Sequence, residues 1–100
     1  MPYLVETHHR PDTEETRNNL RPEHLAYLDA NVSKLLAAGA KLNDDGSVAP
    51  GSFYIVDTED RAAAEAFMNG EPYSRAGLFE RVVYTRWRKG YFDFKRQPAK

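Results

Sequence analysis

Arg21-Pro22-Glu23-His24-Leu25 places a histidine just behind a proline, at the head of an amphipathic pattern. Histidine is the side chain whose ordinary titration range lies around neutral pH, so a ring held in a cavity can accept and return a proton there. Leu28 and Val32 follow His24 by four and eight residues, so in a helix the ring shares their stripe and faces inward. A helix beginning at Pro22 would hold His24 in its first turn, where the dipole disfavours imidazolium and a carboxylate neighbour favours it. Glu71, in Gly70-Glu71-Pro72-Tyr73, is a candidate for that carboxylate, because Pro72 holds the residue before it in extended geometry. Tyr73 and Arg75 could then grip an oxygen-rich substrate. Taken singly, each motif also fits an ordinary role: a helix-start histidine bonded to a carbonyl, and a solvated connector.

Other chemistries find no support. His8 and His9 are adjacent in an extended segment and point to opposite faces, so they do not favour a shared metal. There is no HExxH, phosphate-binding loop, nucleophile elbow or redox-cofactor signature. The chain contains no cysteine, which removes disulfides, thiolate catalysis and sulfur-ligated clusters. Catalysis, if present, is expected to move protons with no cofactor and no metal.

The elements that must position these residues follow from periodicity. Residues 2–8 read as a strand, and a short helix near 13–19 is suggested by Asp12 and Glu15 in a capping pattern. Leu25, Leu28, Val32, Leu35 and Leu36 recur at three and four, predicting a helix from Pro22 to about Ala38 with Gly39 as its C-cap. Asp45-Gly46 and Pro50-Gly51 mark two turns, and Ser52 to Thr58 is the strongest strand. An alanine-rich helix closes at Asn69-Gly70, and residues 80–88 form the last strand. The order βαββαβ predicts an α+β, ferredoxin-like fold: a four-stranded antiparallel sheet with both helices on one face. Phe53 to Val56, and Val82, Val83, Tyr84 and Trp87, are apolar on both faces of their strands. Two helices cover one side only, so a second copy is expected on the other, giving a homodimeric α/β barrel.

One hundred residues suit a single domain, with 91–100 as a C-terminal tail. The formal net charge of −1 gives no field for nucleic acid. Asp93 and aromatic residues interrupt the basic run Arg86, Arg88, Lys89, Lys95, Arg96. No stretch approaches the length of a membrane span and no leader pattern opens the chain, so a cytoplasmic protein with a small-molecule partner is expected.

Across nearly its whole length the chain resembles the YCII-related (YciI-like) family of small dimeric α/β-barrel proteins. The likeness is carried by Arg21 to Leu25, the alanine-rich helix, the corner Glu71-Pro72-Tyr73, and Ala76-Gly77-Leu78-Phe79 leading into ERVVYTRW. It implies that His24 and Glu71 are an active-site pair, with glutamate where the family has aspartate. Gly39-Ala40-Lys41 stands where the family has Gly-Pro. It also implies a cofactor-free lyase or isomerase acting on a small cyclic or aromatic metabolite, for example by dehydrochlorination of a chlorinated hydroxyhydroquinone, with Arg21, Tyr73 and Arg75 on substrate oxygens. The alternative is a non-catalytic module for a small ligand or a protein partner. A carboxylate bonded to His24 in an open cavity favours the enzyme; a dry, filled site favours a structural role.

Overall fold

The computed structural model describes residues 1–98. β1 (Tyr3–His9), β2 (Leu35–Leu42), β3 (Val48–Val56) and β4 (Phe79–Arg86) form one antiparallel sheet in the order β2-β3-β1-β4. With α1 (Glu14–Ala30) and α2 (Arg61–Gly70) this is the expected ferredoxin-like arrangement, extended by a one-turn helix α3 (Pro72–Arg75).

Alternation along β1 sorts the two faces of the sheet. Tyr3, Val5, Thr7 and His9 are buried, while Leu4, Glu6 and His8 are half-buried on the other face. Register carries this across: Val5 lies opposite both Tyr54 and Tyr84, and Leu4 opposite Ile55. The inner face packs against Ala64, Phe67 and Met68 of α2, whose spacing of three and four gives that helix one apolar side. α1 adds Leu20, Tyr27 and Leu28. Tyr27 donates to the Phe67 carbonyl at 2.8 Å, and its hydroxyl comes within 2.7 Å of where a Cβ on Gly70 would stand, so a side chain there would push the Tyr27 ring aside.

Three local expectations give way. The two helices expected on either side of Pro22 are one, and it ends at Ala30 rather than Ala38. Pro22 has no N–H for the Asn18 carbonyl, but both residues face water, which can take that bond. Leu35 and Leu36 continue the helical spacing by coincidence. Leu35 pairs with Val56, and cross-strand bonding draws the segment into β2, so Gly39 is a strand residue opposite Phe53 and not a C-cap. The buried stripe of α1 is accordingly Leu20, His24, Tyr27 and Leu28, while Leu25 and Val32 are 41% and 66% exposed. Pro50-Gly51 makes no turn either. Gly51 lies inside β3 beneath the Thr7 carbonyl, which a Cβ would approach to 2.8 Å. The Asp45-Gly46 turn is present: Gly46 has φ of +89° and the Asn43 and Ser47 backbones bond across it. At the start of α1 the capping position is Thr13, and no side chain caps there.

After β4, Tyr91–Phe92 and Lys95–Arg96 pair as a small ribbon, β5 and β6. The last two positions of the expected tail lie outside the described residues.

Candidate active site

α1 runs alongside the β2–β3 edge of the sheet without closing against it. Between them lies a cavity of about 320 Å³, at the small end of the range for ligand sites. Its sheet wall includes Ala38, Gly39, Ala40 and Gly51, whose small side chains leave the space open. Its helix wall carries Arg17, Arg21 and His24, and Tyr73 and His9 complete the inner end.

His24 is the buried residue of α1, 9% exposed. Its Nδ1 is hydrogen-bonded to Oε1 of Glu71, which is fully buried. Glu71 has φ of −71° and ψ of 134°, the extended geometry that Pro72 imposes. It is also the N-cap of α3, its Oε2 accepting from the Tyr73 and Ser74 amides at 3.1 and 3.3 Å, with Pro72 at the first helical position. The carboxylate is therefore held at both oxygens, one by a helix end and one by the imidazole. A carboxylate can only accept, so the His24 Nδ1 carries a proton and donates it, and in a neutral ring that places the lone pair on Nε2. Among the described residues Nε2 has no hydrogen-bond partner. The Tyr73 ring stacks on His24 at 4.0 Å and 6°, and stands edge-on to Phe79 at 6.5 Å. Burial raises the Tyr73 phenol above its ordinary range, with the nearby Arg21 charge pulling the other way. Burial, helped by the Glu71 charge, keeps the Tyr54 phenol protonated far above neutrality.

His24, Glu71, Arg21 and Tyr73 are thus brought together, and Arg75 is not. It is exposed at the end of α3 and contributes nothing to the cavity wall. His24 also lies in the middle of α1 and not in its first turn, so the helix dipole has little hold on it and the Glu71 bond is what orients the ring.

Two residues of the cavity escaped the sequence reading. His9 follows Tyr3, Val5 and Thr7 on the inner face of β1, and strand alternation alone would have turned it inward. Arg17 precedes Arg21 by four and His24 by seven, one face of one helix, but a helix broken at Pro22 hides that spacing. The Arg17 Nη1 donates to the His9 Nδ1 at 2.8 Å. Burial and then the Arg17 charge lower His9 from 6.5 to about 4, against an opposing pull from Glu71. The ring stacks on Phe79 at 5.5 Å, and its Nε2 is buried with no acceptor.

The sequence profile of the YCII-related domain matches residues 1–88. The chain belongs to the YCII-related family. Among its relatives, Protein YciI of Escherichia coli O6:H1 and Protein YciI of Shigella flexneri are each 33% identical over 96 residues, covering 89% of this chain and 98% of theirs. The fold is similar to that of 5-chloro-2-hydroxyhydroquinone dehydrochlorinase from Burkholderia phenoliruptrix, solved in complex with 2,5-dihydroxybenzoquinone. The TM-score is 0.78 at 30% identity, over 88% of this chain and 94% of that one. This YCII-related chain therefore shares its architecture with a protein whose structure holds a small planar ring, and among its described residues no helix is long and apolar enough to cross a membrane.

Proposed function

We propose that the protein is a cofactor-free lyase or isomerase that moves a proton on a small, oxygen-bearing planar ring bound in the cavity. The observation that carries this reading is the His24–Glu71 pair: a buried carboxylate fixes one imidazole nitrogen and leaves the other without a hydrogen-bond partner among the described residues. The likeness to a dehydrochlorinase supports it.

In this reading His24 Nε2 takes the proton of a ring hydroxyl, and Glu71 stabilises the imidazolium that forms. The O–H electron pair passes into the ring. Where the ring carbon that receives it carries chloride, the proton returns there and makes that carbon tetrahedral beside a new ketone. A second hydroxyl, para to that ketone, then gives up its proton; its electron pair forms the second carbonyl and a ring double bond to that carbon, and chloride leaves with the carbon–chlorine pair, so the net loss is HCl. Where there is no leaving group, the proton returns at another atom and the product is an isomer. Arg21 and Tyr73 hold substrate oxygens, and Tyr73 keeps the imidazole plane in place by stacking. Dehydrochlorination of a chlorinated hydroxyhydroquinone is the specific reaction proposed. General base catalysis supplies about 10² to 10⁴-fold, which suits an activated phenol.

The working form proposed is a cytoplasmic homodimer. Leu4, Phe53, Ile55 and Val83 are half-buried on the outer sheet face, opposite the side that packs on the α2 core residues, and a second copy would cover them.

The test is chloride release from 5-chloro-2-hydroxyhydroquinone. Wild-type protein should release it, and His24→Gln should lower kcat by about 10²-fold or more while circular dichroism stays unchanged. Turnover at the wild-type rate in His24→Gln would overturn the reading.

A further inference from the structure

Arginine has donors only, so the His9 nitrogen facing Arg17 must present a lone pair. His9 is therefore neutral with its proton on Nε2, and a second proton on the ring would set a cation directly against the guanidinium. A neutral acceptor orients Arg17 without cancelling its charge, as a carboxylate in the same place would. Among the described residues neither Arg17 nor Arg21 takes part in an ion pair. The two stand one helical turn apart in the same cavity wall, where like charges repel. Exposed Glu14 also lines this cavity, without forming an ion pair with either.

We infer that Arg17, oriented by a neutral His9, receives an anionic oxygen of the bound ligand, so that the cavity selects ionised phenols, enols and carboxylates over neutral rings. Arg17 is the contact residue in this assignment and His9 a positioning residue. The inference rests on the cavity being the ligand site, as proposed above, but not on proton transfer at His24. Arg17 retains four N–H groups beyond the one given to His9, enough for a two-pronged contact with a carboxylate or a pair of ring oxygens. The buried Nε2–H of His9 marks the ring as held for its other nitrogen, since it finds no acceptor among the described residues.

The experiment compares two probes on the full chain by calorimetry at neutral pH. One is 2,5-dihydroxybenzoquinone, whose hydroxyls are vinylogous acids and ionise readily; the other is its dimethyl ether, with the same ring and no ionisable oxygen. Wild-type protein should prefer the anion by roughly tenfold or more, the scale of a hydrogen bond to a charged group. Arg17→Gln should bring the ratio near unity, whereas Arg17→Lys keeps part of it. His9→Asn, whose amide oxygen can accept the same bond, should retain the preference. His9→Asp, which cancels the charge, should lose it, and a merely structural role for His9 would not separate these two variants. An unchanged ratio in Arg17→Gln, equal binding of both probes by wild type, or binding of neither overturns the inference. An unchanged ratio in Arg17→Gln beside lost chloride release in His24→Gln removes this assignment alone. A lost ratio with turnover intact in His24→Gln removes the proposed reaction alone.

Discussion

The cavity has two imidazoles with opposite prototropic forms, and their partners account for the difference. At one end His24 meets an acceptor, Glu71, so its Nδ1 carries a proton, and in a neutral ring Nε2 is the bare nitrogen. At the other His9 meets a donor, Arg17, so Nδ1 is bare and Nε2 is protonated. Each ring lies flat beside an aromatic one, Tyr73 for His24 and Phe79 for His9, and those two meet edge to face. The same side chain, in similar packing, thus donates to a carboxylate at one end, where we propose that it serves as a base, and is a fixed acceptor for a cation at the other. What an imidazole can do is decided by the group on its first nitrogen.

The most severe way to break this contrast is at the His24 end. Glu71→Gln keeps an acceptor for the α3 amides but replaces the carboxylate that would balance an imidazolium; kcat should fall by about 10²-fold or more, with a smaller change in KM, in steady-state chloride release. Glu71→Ala removes the cap as well and empties a buried position, and should cost about 2–4 kcal/mol in urea unfolding.

Acid should sharpen the contrast at the other end. The folded-state value of His9, about 4, lies below the 6.5 of the free side chain, so as pH falls the unfolded chain takes up its proton first. The His9 contribution to stability is therefore complete above about 6.5, declines as pH falls from there to about 4, and changes no further below that. Arg17, His24 and His8 act in the same direction on this ring and Glu71 opposes them. Melting temperatures measured from pH 7.5 to 4 should thus fall less steeply in His9→Asn than in wild type. The smallest effect is expected from Phe79→Leu, which takes away the ring beside His9 and the edge contact to Tyr73. It should cost about 1 kcal/mol in the same unfolding assay and leave kcat nearly unchanged.

Much of the His24 end was legible before any coordinates, because its determinants are local. Pro72 forces Glu71 to be extended whatever the surroundings, and a histidine four residues before Leu28 must share its helical face. The His9 end was hidden because it depends on where a helix begins. A break at Pro22 sends Arg17 into a separate segment and removes the four-residue step to Arg21 that marks the cavity wall. Arg75 stands off the cavity wall for a related reason: being four residues from Glu71 in the chain says nothing about direction once Pro72–Arg75 closes into a helical turn.

The chain itself determined the order of strands and helices, the inward face of β1 and the Glu71 corner, since hydrophobic period and proline geometry act over a few residues. Tertiary structure alone decided that Leu35 and Leu36 leave the helix for β2, that small residues on that edge strand open a cavity, and that Arg17 sets the protonation of His9. Those outcomes rest on strand pairing and side-chain contacts between residues distant in the chain, and local periodicity does not encode them.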